Sequence, residues 1–255
     1  MRSPALRSWG LSDTHVDLTG QPTPRVTRLT ALPQNVTLDL SRTAIVVIDM
    51  QNDFCATDGW LSSIGVDVSP AAAAIAPIAA VLSPLRAAGV PVIWLNWGNR
   101  TDQANLPAGI LHVYDPVGRG GGIGDRTGQS PAVLTAGSWG AEIVDGLTPE
   151  PDDIRVDKYR MSGFIDTPLD SILRQLRVDT ILFAGVNADQ CVLATLMDAA
   201  GLGYDVVFLE GASTTTSPTF CYDATVYNVR QCFGFTTSTE HLLAAVAPQA
   251  PNSDN

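Results

Sequence analysis

An aspartate, a lysine and a cysteine each stand at or just beyond the end of an apolar run, and together these residue types can perform covalent catalysis. Asp49 follows one run, Lys158 ends a second, and Cys191 lies a short turn after a third. A thiolate is a nucleophile, a carboxylate can act as its base, and an ammonium group stabilises nearby anions. Alone, each residue has an ordinary explanation as core filler, helix cap or ion-pair partner, but their joint placement at strand ends is hard to attribute to chance.

The segment around Cys191 is typical of a buried strand, a turn and a helix. Ile181–Val186 is apolar, Val192–Ala200 has the pattern of a helix, and Asn187 or Asp189 could cap that helix. The sulfur would then lie near the first helical turn. Unpaired backbone N–H groups and the positive end of the helix dipole favour a thiolate there.

Strand-like and helix-like segments alternate from residue 43 onward. This alternation predicts a mostly parallel sheet with helices on both faces, which is the α/β class. Sites in such sheets lie beyond the carboxyl ends of the strands, so Asp49, Lys158 and Cys191 would meet at one edge. Predicted strands are Thr43–Ile48, Pro91–Asn96, Asp153–Lys158, the run from Ile181, and Asp205–Glu210 as the last clear one; predicted helices are Ala71–Ala88, Pro168–Leu176 and Phe220–Phe233.

Composition along the chain predicts the domain organisation. Residues 1–40 are rich in Pro, Thr, Ser and Arg and predict an extended N-terminal arm. Residues 41–247 form the predicted catalytic domain, and the tail 248–255 should fray. Residues 97–137 contain many glycines and little periodicity, which predicts a long loop region, and such loops are more often functional than idle.

Charge and hydropathy argue against several classes of function. The 255-residue chain is 45% hydrophobic and carries a formal net charge of −11. It has no cluster of Lys and Arg that could neutralise a phosphate backbone, so nucleic acid is not an expected partner. No uninterrupted apolar stretch approaches membrane-spanning length, and the start of the chain lacks a signal-peptide core. We therefore expect no membrane partner and a cytoplasmic location.

The cysteines are too few and too scattered for a disulfide framework. There are four, and no C-x-x-C pair occurs, which is consistent with a reducing compartment. Cys55, Cys221 and Cys232 are expected to be structural or inert, which leaves Cys191 as the candidate nucleophile.

Three segments of the chain resemble the signature segments of the isochorismatase-like cysteine hydrolases. These are Val46–Phe54, Lys158–Phe164 and Ala184–Val192, and they occur in the expected order. The resemblance covers roughly residues 40–246. It implies a Rossmann-like three-layer α/β/α sandwich around a mostly parallel sheet, and a homo-oligomeric state such as a tetramer.

The resemblance also implies roles for individual residues. Asp49, Lys158 and Cys191 would be the catalytic residues. A cis peptide bond between Val186 and Asn187 would direct the backbone N–H groups of Asn187 and Cys191 into an oxyanion hole.

Departures from two branches of the family narrow the chemistry. Nicotinamidases bind a metal through histidines placed after the first catalytic aspartate. Here His15, His112 and His241 all lie away from Asp49 in the sequence, and no two have ligand spacing, so no metal and no other cofactor is expected. Isochorismatases proper do not use a cysteine at the nucleophile position, so Cys191 argues against their reaction.

The remaining resemblance is to amidases that act on carbamoyl groups. Among these are N-carbamoylsarcosine amidase, ureidoacrylate amidohydrolase, and the biuret and triuret hydrolases. Gln231 falls at the distance from Cys191 where biuret hydrolases carry a substrate-binding glutamine, and an amide can both donate to and accept from a urea-like edge. Phe54, Asn96 and Trp97 are further candidates for substrate contact.

The expectation is therefore a metal-free amidohydrolase that cleaves a small neutral carbamoyl substrate, such as biuret or triuret, through an S-acyl intermediate. Two alternatives stay open. One is an amidohydrolase for ureidoacrylate or N-carbamoyl amino acids, and the other is a catalytically silent member with a binding role.

Overall fold

The computed structural model of the protein describes residues 9–20, 23–125 and 132–247. The predicted frayed tail and the start of the predicted arm therefore lie outside the described residues. Within them the strands are β1 (Gly10–Leu11), β2 (Val16–Asp17), β3 (Val26–Leu29), β4 (Val36–Asp39), β5 (Thr43–Ile48), β6 (Val92–Trp97), β7 (Ile154–Lys158), β8 (Thr180–Gly185), β9 (Asp205–Ser213) and β10 (Phe235–Ser238).

The α-helices in these ranges are α1 (Asn52–Cys55), α2 (Trp60–Ser63), α3 (Ser69–Ala72), α4 (Ile75–Ala87), α5 (Ala108–Leu111), α6 (Leu169–Gln175), α7 (Leu193–Gly201), α8 (Thr219–Asn228) and α9 (Thr239–Val246). A π-helical turn, Ala188–Val192, leads into α7, and a second one, Val229–Phe233, follows α8.

A six-stranded parallel sheet forms the centre of the fold. Its strand order is β10-β9-β8-β5-β6-β7. Every residue of β5, β6 and β8 is buried, because these strands are apolar on both faces and have neighbours on both sides. The chain winds from β5 to β6 and β7, then returns to the other side of β5 with β8. This reversal creates a switch point between β5 and β8, where such sheets bind their ligands.

Helices cover both faces of the sheet. The helix α4 precedes β6 and packs against α9. Because parallel crossovers are right-handed and the winding direction reverses after β7, α7 and α8 lie on the opposite face. The predicted fold class, a three-layer α/β/α sandwich around a parallel sheet, is confirmed.

The single helix predicted for Ala71–Ala88 is in fact two helices, α3 and α4. They are separated at Ala73 and Ala74. Pro77 explains the break, because a proline lacks the N–H that would bond to the carbonyl four residues earlier and its ring collides with that carbonyl. Pro77 is tolerated at the third residue of α4, where the N–H would have no helical partner.

The stretch Ser69–Ala87 bears on the expectation that no segment approaches membrane-spanning length. It has 19 residues and a mean hydropathy of 1.4 over its most apolar window, which satisfies the length and composition of a membrane span. However, it is interrupted, and Ile78, Val81 and Leu85 belong to the hydrophobic core. A core helix meets the same criteria, so the stretch is weak evidence for a membrane location.

The carboxyl-terminal part contains a strand that the sequence did not predict. Asp205–Glu210 is not the last strand, because β10 follows it and pairs with it in parallel at the edge of the sheet. The sequence of β10 is Phe-Thr-Thr-Ser, which lacks the apolar run used to predict the central strands. An edge strand needs fewer apolar residues because only one side is paired.

Part of the predicted arm packs against the domain. The strands β3 and β4 pair antiparallel, and Leu29 and Leu38 are buried in the core. The Thr27 hydroxyl donates to the Ala245 carbonyl of α9 at 2.7 Å. Residues 26–39 are therefore packed against the domain as well as covalently continuous with it. The domain boundary at residue 40 stays a prediction.

Candidate active site

The structure brings Asp49, Lys158 and Cys191 together at the carboxyl edge of the sheet. Asp49 is the first residue after β5, Lys158 is the last residue of β7, and Cys191 lies in the turn after β8. Lys158 Nζ lies 2.7 Å from Asp49 Oδ2 and donates to Cys191 Sγ at 3.3 Å. The three residues are 1%, 0% and 5% exposed, respectively. The convergence predicted from strand ends is thus present as direct contact.

The backbone at Asp49 turns the chain out of the sheet. Asp49 has φ of +51°, a left-handed conformation that aspartate tolerates better than most residues with a side chain. Its N–H donates to the Leu95 carbonyl of β6 at 3.0 Å, and its carbonyl accepts from the Gln51 N–H at 2.8 Å. These bonds fix the carboxylate at the end of β5.

Lys158 is held by contacts on several sides. Besides its contacts with Asp49 and Cys191, its ammonium group donates to the Arg160 carbonyl at 3.2 Å. The three N–H donors of the ammonium thus have three partners. Its Nζ also lies 4.1 Å from the ring centroid of Trp97, a favourable cation–π distance. These contacts compensate for the loss of water around the buried charge.

Gln51 fixes the position of Trp97. Its Nε2 donates to the carbonyls of Trp97 at 2.8 Å and Ala141 at 2.7 Å, and its Oε1 accepts from the Trp97 N–H at 2.7 Å. Gln51 is fully buried. It therefore supports the aromatic ring beneath Lys158, a role that the sequence analysis did not assign although Gln51 lies in the first signature segment.

The turn that carries Cys191 differs in detail from the expected capped helix. The cis peptide bond between Val186 and Asn187 is present. Neither Asn187 nor Asp189 caps the helix. Asn187 Oδ1 accepts from the Thr216 N–H at 3.0 Å, and Asp189 accepts from the Thr215 hydroxyl. Both side chains are thus used to fasten the loop that follows β9 against the turn that carries Cys191.

Burial also changes the predicted ionisation of the thiol. The sequence predicted a stabilised thiolate at a helix N-terminus. Instead, burial raises the pKa of Cys191, and the Asp49 carboxylate raises it further, although the Lys158 charge opposes both. Burial also raises the pKa of Asp49, against the lowering effect of Lys158. Burial therefore favours the protonated thiol of Cys191, while the 2.7 Å contact with Lys158 favours the carboxylate form of Asp49.

A cavity of about 410 Å³ opens beside this cluster. Met161 lines the cavity, and its Sδ lies 3.8 Å from Cys191 Sγ. Gln190, the neighbour of Cys191, also lines it. None of the lining residues carries a charge; they are Val66, Val113, Tyr114, Met161, Gln190, Thr216, Ser217 and Pro218.

Of the residues predicted to contact substrate, Trp97 and Phe54 lie behind the cavity lining. Trp97 lies under Lys158 and is 1% exposed, so its ring supports the site from within the core. Phe54 packs edge-on against Trp60, which packs against Tyr114 of the cavity, so Phe54 supports the lining from behind. Neither belongs to the cavity lining itself.

Asn96 and Gln231 lie outside the cavity. Asn96 lines a separate cavity of about 260 Å³ at the end of β6, and Trp97 lines that cavity as well. Gln231 is exposed in the second π-helical turn, because Val229 is the residue of that turn buried in the core. The single chain thus gives no support for substrate contact by Asn96 or Gln231, and such a role stays a prediction.

The cavity is built largely from residues that sequence reasoning missed. Tyr114 lies in the long loop predicted between residues 97 and 137, and Thr216 to Pro218 belong to the loop after β9. Gln190 could have been noted because it adjoins the candidate nucleophile. The loops carried no pattern that would place them over Cys191.

No metal-binding cluster is found in the part of the chain that the structure describes. Within residues 9–20, 23–125 and 132–247, no group of three or more His, Cys, Asp or Glu side chains is arranged to hold an ion. The three histidines lie in β1–β2, after α5 and in α9, on separate parts of the fold.

A three-layer α/β/α fold with a buried thiol, ammonium and carboxylate at its switch point defines a class of enzyme, and comparison with known proteins identifies the family. A model of the isochorismatase domain matches residues 43–241. The chain therefore belongs to the isochorismatase family, and it is a hydrolase of the cysteine hydrolase type.

Solved structures agree with this assignment. The chain is similar to a cysteine hydrolase from Pseudomonas syringae pv. phaseolicola 1448A, with 26% identity, a TM-score of 0.70, and coverage of 89% of this chain and 98% of that one. It is similar to a pyrazinamidase/nicotinamidase from Streptococcus mutans UA159, with 26% identity, a TM-score of 0.62 and coverage of 77% and 99%. It shares its fold with N-carbamoylsarcosine amidase from Thermoplasma acidophilum, with 24% identity, a TM-score of 0.59 and coverage of 78% and 97%.

Proposed function

We propose that the protein is a cysteine amidohydrolase that cleaves a C–N bond of an uncharged carbamoyl or urea-like substrate, such as biuret or triuret. The observation that carries this proposal is the buried Cys191–Lys158–Asp49 contact set beside a cavity lined by uncharged residues. The pyrazinamidase/nicotinamidase of similar sequence is an amidase by name, which supports amide hydrolysis without selecting a substrate.

The first chemical step is attack by Cys191 on the carbamoyl carbon. Asp49 takes the thiol proton as the S–C bond forms, and Lys158 stabilises the anionic form of each partner. The carbonyl oxygen of the substrate becomes an oxyanion. The N–H groups of Gln190 and Val192, on either side of Cys191, bond to the Asn187 carbonyl at 3.0 and 3.2 Å. The N–H groups on both sides of Cys191 are therefore already bonded to the turn. The N–H groups of Cys191 and Asn187 are the proposed oxyanion donors.

The second step breaks the C–N bond. Protonated Asp49 gives its proton to the leaving nitrogen, which departs as ammonia or an amine and leaves an S-acyl group on Cys191. Asp49, again a carboxylate, removes a proton from water as the water oxygen attacks the acyl carbon; the S–C bond then breaks, and Asp49 returns the proton to the sulfur, which restores the thiol and releases the acid product. Lys158 needs no change of protonation in this cycle, because its role is to hold and neutralise its two partners.

An uncharged substrate is favoured because the nearby arginines are already engaged. A carboxylate substrate would require a cation at the cavity, and Arg100 and Arg160 are the sequence candidates. Arg100 is exposed and paired with Asp102, while Arg160 is bound by Asp166 and by the Asn105 carbonyl. Hydrolysis of ureidoacrylate or an N-carbamoyl amino acid is therefore the second candidate function.

An ammonia-release assay over biuret, triuret, a ureido acid, an N-carbamoyl amino acid and nicotinamide tests the proposal. The neutral urea-like compounds should give the highest kcat/KM. Cys191→Ser should lower kcat by about 10³-fold or more, because the alcohol is much harder to ionise than the thiol. Cys232→Ser, which changes an exposed thiol, is the matched control and should retain activity.

Two results would contradict the proposal. If Cys191→Ser keeps activity within about tenfold of the wild type, Cys191 is not the nucleophile. If no compound in the panel releases ammonia, the proposal fails and the silent binding member is the remaining alternative. We further propose a cytoplasmic, homo-oligomeric enzyme without a metal or other cofactor.

A further inference from the structure

Three polar side chains meet on one side of the cavity, next to the nucleophile. Gln190 Nε2 lies 3.3 Å from both Tyr114 Oη and Ser217 Oγ. These residues come from three separate parts of the chain: the turn that carries Cys191, the loop after α5 and the loop after β9. We call this set the Gln190 edge. Its position one residue from Cys191 places it beside any substrate bound to the thiol.

The Gln190 edge is held in place by its surroundings. The loop that carries Ser217 is fastened by Thr216, whose N–H donates to Asn187 Oδ1 at 3.0 Å, and by the Ala188 N–H, which donates to the Thr214 carbonyl at 2.8 Å. Tyr114 is fixed edge-on against the buried ring of Trp60, with 5.4 Å between ring centroids. The edge is therefore preorganised, which lowers the entropic cost of binding a ligand.

The hydrogen-bonding capacity of the edge is only partly used. The contacts of Gln190 Nε2 are long, since ordinary bonds of this kind cluster near 2.9 Å. The Gln190 Oε1 atom can accept hydrogen bonds, and the hydroxyls of Tyr114 and Ser217 can donate them. A terminal carboxamide has two N–H donors and one carbonyl acceptor, so it matches this edge.

A carboxylate would match the same edge poorly. It cannot donate to Gln190 Oε1, and no residue lining the cavity is a Lys or Arg. The nearest charge on the turn is Asp189, which is bound by Thr215 in the loop that also carries Ser217. An anion placed here would face a neighbouring anion, and the cation of the site, Lys158, already contacts Asp49.

We propose that Gln190, with Tyr114 and Ser217, binds the distal carboxamide of the substrate and so selects amide-terminated over carboxylate-terminated carbamoyl compounds. This inference rests on the proposed function and assigns its substrate recognition. The reacting carbamoyl group lies at Cys191, and the second amide group lies at the Gln190 edge. A cavity of about 410 Å³ accommodates a linear molecule of this length.

A matched pair of substrates tests the proposal directly. N-Carbamoylglycinamide and N-carbamoylglycine differ only in a terminal carboxamide or carboxylate. The wild type should prefer the amide in kcat/KM. Gln190→Leu should lower kcat/KM for the amide by roughly 10- to 100-fold, mainly through KM, because the lost contact is distant from the reacting atoms. The effect on the acid should be much smaller.

A second variant tests the charge argument with a gain of function. Gln190→Lys adds a cation at the edge and should reverse the preference toward N-carbamoylglycine.

Tyr114→Phe removes a single hydroxyl and should raise KM for the amide several-fold. Gln34→Leu makes the same chemical change as Gln190→Leu at an exposed turn and should change neither substrate. Thermal melting establishes that each variant is folded.

The outcomes separate this inference from the proposed function. If the wild type releases no ammonia from any carbamoyl compound, the proposed function fails. If the wild type is active but the folded Gln190 variants keep both the KM values and the substrate preference, the recognition role is wrong. If Gln231→Leu raises KM for the amide and Gln190→Leu does not, recognition belongs to the residue that the sequence indicated.

Discussion

At the scale of single residues, the meeting of Asp49, Lys158 and Cys191 was predictable from the sequence, and the Gln190 edge was not. Asp49, Lys158 and Cys191 stand at the ends of apolar runs, and parallel strands bring such ends to one edge. Gln190 and Ser217 are ordinary polar residues in sequence. Their contact depends on how the loop after β9 is fastened to the Cys191 turn, which no local pattern encodes. The role predicted for Gln231 rests on spacing, which does not determine which side of a helix faces the cavity, and that role stays a prediction.

Burial of Asp49 predicts the pH dependence of the reaction. Asp49 must be ionised to accept the thiol proton, and its pKa is raised above the ordinary value of 3.8. We therefore expect kcat/KM to rise with pH along a limb above that value. Burial raises the pKa of Cys191 as well, so the thiol keeps its proton through neutral pH and the plateau should extend to alkaline pH.

The measurement is a pH profile of kcat/KM, with thiolate absorbance followed in parallel. Asp53→Asn is the matched control. Asp53 is also a buried carboxyl with a raised pKa, but it accepts from the N–H groups of Trp60 and Leu134 and does not contact the thiol. Its replacement should leave the acid limb in place. An acid limb at or below the ordinary carboxyl value, or a thiolate signal at neutral pH, would contradict the assigned ionisation.

At the scale of elements, central strands were predicted well because burial on both faces demands continuous apolar runs. Thr43–Ile48 was predicted at its observed bounds. The prediction failed where context decides the structure. The break between α3 and α4 follows from Pro77 acting four residues upstream, and β10 is recognisable as a strand only through its pairing with β9.

Close approach of β5 and β8 predicts a strong effect of a small substitution. Gly185, the last residue of β8, has φ of +118°, and an added Cβ would lie 2.1 Å from the Ile48 carbonyl oxygen. Gly185→Ala must therefore separate the strands just before Asp49 and the Cys191 turn. We expect a loss of roughly 1–3 kcal/mol in the free energy of unfolding, together with a fall in kcat.

Gly201→Ala is the control for this change. A Cβ at Gly201 meets no atom within 4 Å, and the residue ends α7. Alanine is favoured over glycine in a helix, so this variant should be neutral or slightly stabilising. Denaturant unfolding and steady-state kinetics compare the pair. Equal stability of the two variants would show that β5 and β8 do not approach as closely as described.

At the scale of the whole molecule, the acidic composition disfavours anionic substrates, as the uncharged lining of the cavity does. A net charge of −11 creates a field that slows the approach of anions and leaves neutral compounds unaffected. Rates for a ureido acid should therefore depend on ionic strength more than rates for biuret. The proposed preference for neutral substrates would thus have a long-range component besides the proposed contacts of Gln190.

The distribution of histidines over the molecule leads to a last prediction, that activity survives removal of divalent metals. His15, His112 and His241 belong to separate elements, and the sequence around Asp49 contains no histidine ligand. Exhaustive dialysis against EDTA should leave kcat/KM unchanged, with metal content followed by elemental analysis. His112→Ala is the sharpest companion variant, since its neighbours Val113 and Tyr114 line the cavity; it too should keep EDTA-resistant activity. Loss of activity on chelation, recovered with zinc or iron, would instead place the enzyme with the metal-dependent amidases and require ligands brought from another part of the chain.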